Sequence, residues 1–396
     1  MGDSAVGLLD RLPERFLLDR LHTDGRWRIR LGRASRDVVV AKGEVTVERP
    51  GGKADAEIET DHDTWRAMDA GRLSGIEAFV DRKLKVRGSI ERALQFEPMF
   101  ERPDAGGMQY TIEDVSIGNG TSISALVAGA EDAEPLLLMH GLGATKASWL
   151  TVLPQLAAHY RVIVIDLPGF GRSSKPIGRY DAAWFCGHIC RFLDSMGIER
   201  CHVAGNSMGG KIAMEMAMLD PERVIDIICL CPASAFSNRP MLRLVKLLRP
   251  ELGVAVGFVP RARLKREITS LFADSKRLDD IWIEAALDDF FRVWRNPKAR
   301  GAFFAAARSI YLEDPHGDAG FFTRLELLEI PSLFIYGERD SLITHHFGRK
   351  IQRVLPQAEV QVWPDCGHVP QIEFPDRTAE AMLAFLSRST DSRAAG

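Results

Sequence analysis

With 396 residues the chain is longer than one hydrophobic core usually organises, which implies two domains. Its residues are 46% hydrophobic and 27% charged, near the globular average, which excludes a disordered or fibrous chain. A net charge of -3 leaves no electrostatic footprint for nucleic acid.

The first residues have neither the basic patch nor the apolar core of a secretory signal. Val6 stands where a myristoylation pattern requires Ser or Thr, and no run reaches the roughly 20 apolar residues of a spanning helix. A cytoplasmic location is the expectation. Short, partly alternating or β-branched runs at 27–31, 38–40, 45–49 and 54–60 predict a small twisted sheet. Helical patterns follow at 63–70 and 75–84, then Lys85-Val86-Arg87-Gly88 and an amphipathic run over 89–96. Residues 98–107 hold two prolines and two adjacent glycines and read as a linker, placing a boundary near 105.

That order, with the words A-G-R-L-S-G-I-E-A-F-V-D-R-K-L-K-V-R-G-S-I, resembles the sterol carrier protein fold over residues 8–98. The family encloses an apolar tunnel for sterols or fatty acyl groups, so the resemblance implies a lipid site in an α+β domain over 1–105. A small domain that only packs against its neighbour is the competing reading. This half shows no nucleophile and base pair, and chemistry is expected in 106–396.

From Tyr110 onward, runs at 112–117, 122–127, 136–139, 161–167, 201–204 and 224–230 alternate with helical segments. Such alternation predicts a mostly parallel, doubly wound sheet with its ligand site beyond the carboxyl ends of the strands. At one such end Gly205-Asn206-Ser207-Met208-Gly209 passes into a helical run, the context that exposes a serine on a tight turn. A serine hydroxyl reacts only beside a base and an orienting acid. The strand at 332–336 ends in Gly337-Glu338-Arg339-Asp340, and that at 360–363 ends in Pro364-Asp365-Cys366-Gly367-His368. His368 is the candidate base and Asp340 the acid that fixes its tautomer, with Asp365 as the rival carboxylate.

Acyl transfer also needs donors for the developing oxyanion, each worth about 3–4 kcal/mol in comparable sites. His140-Gly141-Leu142-Gly143 follows the strand at 136–139, and the N–H groups of Leu142 and Met208 are the expected pair. His140 is assigned a bracing role.

Six scattered cysteines, Cys186, Cys190, Cys201, Cys229, Cys231 and Cys366, read as reduced thiols. A metal site from Cys186, His188, Cys190 and His202 is the sharper alternative, but no C-x-x-C pair supports it and buried thiols are ordinary.

Together M-H-G-L-G-A-T-K-A-S-W, D-L-P-G-F-G-R-S-S-K-P, G-N-S-M-G-G, Y-G-E-R-D and C-G-H-V-P resemble the α/β-hydrolase family, especially bacterial lipases and esterases, over about residues 110–388. The resemblance implies a serine hydrolase working through an acyl-enzyme, with neither metal nor organic cofactor. The serine nucleophile argues against the related dehalogenases and epoxide hydrolases, which carry Asp there. G-N-S-M-G-G also resembles carbon–carbon hydrolases of ring-cleavage products.

Between about 232 and 328 the strand pattern gives way to helical, charge-rich sequence, which in this fold reads as a cap. In the run from Met241 to Arg249 bases recur every third residue beside an apolar face. That suits either a peripheral membrane contact or, more commonly, a cap helix with its charges in water. The expected substrate is a lipophilic carboxylic ester; a lipid carrier with an idle hydrolase half is the reading from another class. The polar tail at 387–396 is expected to be disordered.

Overall fold

The alternating runs of the first hundred residues become five strands in a computed structural model that describes residues 5–18, 23–234, 259–278 and 280–394. The chain divides into two compact units. The first comprises Met1–Glu113, Val127–Gly129 and Leu278–Phe291; the second comprises Asp114–Leu126, Ala130–Arg277 and Arg292–Gly396. The first unit thus runs past residue 105 and includes a stretch of the segment read as cap.

In the first unit β1 (Gly25–Leu31), β2 (Ala34–Ala41), β3 (Glu44–Glu48), β4 (Ala56–Thr60) and β5 (Leu84–Gly88) form a sheet in the order β3-β2-β1-β4-β5. Strand period two sends Trp27, Ile29 and Leu31 into the core, all three fully buried. The alternate positions Arg26 and Arg28 grip the buried Asp37 carboxylate at 2.9 and 2.8 Å. Burial alone would raise that carboxyl, but the two guanidinium groups and the Gly51 N–H hold it below its usual range. Behind the sheet, Phe96 packs against Trp27, Trp65 and Phe100 with ring centroids 6.1, 6.4 and 5.1 Å away.

Three helices of the unit carry side-chain caps. Asp61 caps His62–Asp69, Ser89 caps Ile90–Phe96, and Ser74 with Glu77 forms a reciprocal capping box on Gly75–Val80. The helix expected to reach 84 stops at Val80, because Arg82 adopts a left-handed φ of 59° and Leu84 joins the sheet opposite Thr60.

The second sheet runs β13-β12-β11-β10-β8-β9-β7-β6. Its strands are β6 (Tyr110–Ser116), β7 (Ser122–Ala128), β8 (Pro135–Met139), β9 (Arg161–Ile165), β10 (Cys201–Asn206), β11 (Val224–Leu230), β12 (Ser332–Gly337) and β13 (Glu359–Trp363). Strands β8 to β13 pair in parallel. Every residue of β10 and β11 is buried, the signature of a sheet covered on both faces. Because β8 lies between β9 and β10, the order reverses there, which opens a crevice at the carboxyl ends of the strands. This is the α/β-hydrolase fold with a small N-terminal domain.

Of the segment read as cap, helices Arg261–Thr269, Asp280–Trp294, Pro297–Leu312 and Phe321–Leu325 are described. The basic run from Met241 to Arg249 lies outside the described residues. Of the tail expected to be disordered, residues 387–394 are instead the end of helix Pro375–Ala394, and the last two lie outside the described residues. Buried Ala379, Met382, Phe385 and Leu386 anchor that helix, and the Ala- and Arg-containing tail has adequate propensity to prolong it. Among the described residues no helix is long and apolar enough to cross a membrane.

At the amino ends of the parallel strands His202 is fully buried, with Nδ1 2.9 Å from Asp226 and Nε2 3.3 Å from Glu134. Burial pulls its pKa down, but the Asp226 bond and the two carboxylate charges outweigh it and carry the value above the ordinary one. A raised folded pKa contributes stability that is complete below the unfolded value of about 6.5 and is lost as pH rises through the folded value. Denaturant titrations across that interval should therefore show wild type losing stability relative to His202→Gln as pH rises. Parallel profiles would show that the ring carries no extra proton.

Candidate active site

The site is built on the carboxyl ends of β8, β10, β11, β12 and β13. Ser207 follows β10 with φ 54° and ψ -112°, a left-handed conformation that non-glycine residues rarely adopt. Its N–H donates to Leu230 O at 2.9 Å, while its carbonyl accepts from Ala233 at 3.0 Å and from Lys211 at 3.1 Å. Although Ser207 begins helix Met208–Leu219, its hydroxyl makes no capping bond and stays available. Glycine is required around it. A Cβ on Gly205 would lie 2.1 Å from the Gly209 carbonyl carbon, and one on Gly209 would lie 2.2 Å from Met139 O.

Asp340 and His368 come together as the sequence spacing predicts, with His368 Nδ1 2.7 Å from Asp340 Oδ2. The other oxygen, Oδ1, accepts from the Leu342 and Ile343 N–H groups at 2.7 and 2.9 Å, so the carboxylate cannot turn away. The rival Asp365 is half exposed and pairs with Arg339 at 2.6 Å. His368 is buried, and its own N–H donates to Leu271 O at 2.6 Å. Asn206 supplies the link between the His368 and Ser207 loops: its amide donates to Leu230 O at 3.1 Å and to His368 O at 3.0 Å. The residue next to Ser207 thereby holds the backbone of the histidine loop. Among the described residues the Ser207 hydroxyl makes no hydrogen bond to the ring, a looseness common before substrate enters such sites.

The turn after β8 faces the same point. A Cβ on Gly141 would meet Ser207 Cβ at 3.2 Å, so the turn backbone approaches the nucleophile closely. Among the described residues neither the Leu142 nor the Met208 N–H has an acceptor. His140 Nε2 accepts from Leu167 N–H at 3.0 Å, which assigns the ring proton to Nδ1, and Nδ1–H donates to Gly141 O at 2.7 Å. Burial lowers the pKa of this ring, suiting a neutral brace.

Beneath the turn lies an ion pair that sequence reasoning did not single out. Lys146 Nζ sits 2.7 Å from Asp166 Oδ2, and both side chains are fully buried. The carboxylate also accepts from the Lys146 and Arg172 N–H groups at 2.8 and 2.9 Å, joining the loop after β8 to the loop after β9. Burial would raise the Asp166 carboxyl, but the Lys146 ammonium and His140 keep it low.

Met208 also lines a cavity of about 610 Å³ whose wall includes none of Ser207, Asp340 and His368. Phe185, Ile212 and Leu312 contribute apolar wall, whereas Lys211, Glu313 and Arg324 contribute charge. Lys211 Nζ is 2.7 Å from Glu313 and 3.5 Å from Glu215, and Arg324 pairs with both acids. Burial lowers the Lys211 pKa despite these partners. This cluster was missed because its members are dispersed over more than a hundred positions.

The metal set considered from sequence does not assemble. Cys186 points to Ile212 O and Cys190 to Asp220, while His188 bonds Trp184 O and His202 bonds Asp226. Among the described residues one other trio has ligand spacing: atoms of Cys231, Asp340 and His368 lie within 4.8 Å of one another.

Gly205→Ala should lower stability by about 1–3 kcal/mol and reduce activity with it, because the added methyl meets backbone rather than a yielding side chain. Thermal unfolding of the variant checks this; an unchanged midpoint would mean that the turn is looser than described.

Comparisons with known proteins agree with this fold. The family model for the alpha/beta hydrolase fold matches residues 134–375, and that of the SCP-2 sterol transfer family matches residues 18–101. The chain is 32% identical over 270 residues to a dihydrolipoyllysine-residue acetyltransferase component of the acetoin cleaving system from Pseudomonas putida, covering 66% of this chain and 65% of that one. It therefore spans just under two thirds of that relative's length. To a 2-hydroxy-6-oxo-6-(2'-aminophenyl)hexa-2,4-dienoic acid hydrolase of Metapseudomonas resinovorans it is 27% identical, covering 69% of this chain and 91% of the relative. Among solved structures, a membrane phospholipase A described as a bacterial virulence factor superposes with a TM-score of 0.59 at 28% identity, covering 72% of this chain and 87% of that one.

Proposed function

The chain belongs to the α/β-hydrolase family, and we propose that it is a serine hydrolase that cleaves carboxylic esters of lipophilic acids through an acyl-enzyme. The observation that carries the reading is the 2.7 Å Asp340–His368 pair, whose loop is tied by Asn206 to the strained turn bearing Ser207.

With Nδ1–H donated to Asp340, His368 keeps the lone pair of Nε2 for the Ser207 proton. As that proton leaves, Oγ attacks the acyl carbon, and the Leu142 and Met208 N–H groups receive the negative charge on the carbonyl oxygen. Collapse of the intermediate expels the alcohol, which takes the proton from His368. Water then repeats the sequence on the acyl-enzyme and releases the acid. Neither a metal nor an organic cofactor enters these steps.

The cavity that Met208 lines supports an amphiphilic ligand, since apolar side chains and a charged cluster share its wall. The phospholipase A likeness and the SCP-2 match point the same way. A lipid held by the N-terminal domain and a peripheral membrane contact through the cap belong to this proposal, as does a cytoplasmic setting. The charged wall also favours a second reading, a carbon–carbon hydrolase acting on an acidic ring-cleavage product, in keeping with the named relative.

Chromogenic esters of increasing acyl length should be cleaved faster as the chain grows, and Ser207→Ala should abolish turnover. Asp340→Asn should lower kcat by about ten-thousandfold at near-constant KM, as expected when the imidazole loses its tautomer. Bleaching of a dienone acid without ester cleavage would select the second reading, and a fluorophosphonate that fails to label Ser207 would remove both.

A further inference from the structure

Cys231 directly follows β11, near the proposed catalytic pair, and the ester-cleaving steps leave it idle. Its N–H donates to Ile335 O at 2.7 Å, its φ is 44°, and its side chain is fully buried with Sγ 3.5 Å from Gly367 O. The Asp340 carboxylate has an uneven disposition of bonds. Two amides occupy Oδ1, while Oδ2 serves the ring alone among the N–H donors described. A sulfur, a carboxylate oxygen and a ring nitrogen thus lie within 4.8 Å of one another on buried side chains.

The geometry points to a site for a soft divalent cation of the zinc class, in which Cys231, Asp340 and His368 hold the ion and thereby switch the hydrolase off. Zinc bonds thiolate at about 2.3 Å and imidazole or carboxylate at about 2.0–2.2 Å in tetrahedral sites, which sets ligand-to-ligand edges of about 3.3–3.6 Å. Closing from 4.8 Å to those edges needs side-chain shifts of about an ångström. The shared Asp340–His368 hydrogen bond opens by a smaller amount. Calcium and magnesium, which require oxygen ligands throughout, do not suit the thiol.

Protons balance simply. The Cys231 thiol loses its proton to solvent, and the imidazole proton moves from Nδ1 to Nε2, so one proton is released per ion bound. Thiolate and carboxylate neutralise the two charges of the cation, and a water completes the fourth position. With Nε2 protonated, the ring cannot accept the Ser207 proton, and catalysis stops without any block of the substrate cavity. The inhibition rests on the proposed triad, whereas the binding does not.

Two measurements on the full-length protein separate those layers. Cadmium titration should produce a thiolate-to-metal charge-transfer band whose amplitude falls by one site in Cys231→Ser and Cys231→Ala. The other five cysteines stay as the internal control. Zinc should inhibit ester hydrolysis reversibly, with a chelator restoring the rate, and each Cys231 variant, normalised to its own metal-free rate, should need at least about tenfold more zinc. A band of equal amplitude in wild type and both variants would overturn the site, and so would unchanged zinc sensitivity in an active variant. If no ester is turned over at all, the ester reading fails while the cadmium band still decides the site.

Discussion

The left-handed backbone of Ser207 is the constraint around which the second unit is arranged. An L-residue at φ 54° and ψ -112° is costly, on the order of 1–3 kcal/mol, and persists only where its surroundings allow no alternative. Here the surroundings are backbone from three strand ends. Leu230 O takes the serine N–H, Ala233 and Lys211 N–H take its carbonyl, and Gly205 and Gly209 bring β10, its helix and the end of β8 too close for any Cβ. In this conformation the hydroxyl makes no capping bond to the helix it precedes. The Met208 N–H, the first of the helix, likewise has no partner inside the helix. The proposed nucleophile and one proposed oxyanion donor thus share a single turn.

Buried charge stabilises the opposing turn, and its merit is geometric rather than energetic. Removing Lys146 and Asp166 from water costs several kcal/mol per ion, which Coulomb attraction offsets only with good geometry and further hydrogen bonds. Both conditions hold: the pair is 2.7 Å apart, and Asp166 accepts two additional amides. The carboxylate fills the space above Gly171, where a Cβ would sit 2.1 Å from its carbon. What the arrangement secures is the relative position of the loops after β8 and β9, on which His140 then rests through Leu167 N–H.

How much was legible in the sequence depended on whether a feature was local. Strand ends followed by Gly-rich words marked Ser207, Asp340, His368 and the Leu142 turn, because short parallel strands leave their functional residues just past the last apolar position. The fold class and the N-terminal resemblance were likewise carried by contiguous words. Asn206 was within the quoted pentapeptide, yet its bond to His368 O crosses 162 positions, and no local pattern announces that. Lys211, Glu215, Glu313 and Arg324 form one cluster only after helices Met208–Leu219 and Phe321–Leu325 pack. The tail misled for the opposite reason: its composition is polar, but the four buried apolar residues just before it propagate a helix through it.

The two oxygens of Asp340 show how one carboxylate can be both fixed and responsive. Two amide donors on Oδ1 set its plane, so a loss of the imidazole partner leaves it in place rather than free to rotate into solvent. Oδ2 then faces a ring nitrogen and a buried thiol, two groups whose protons a soft cation can displace but a hard one cannot. Rigidity on one side and exchangeable protons on the other are properties of the same loop. The positioning proposed for serine attack is therefore the same one that brings a thiol, a carboxylate and an imidazole within 4.8 Å of one another.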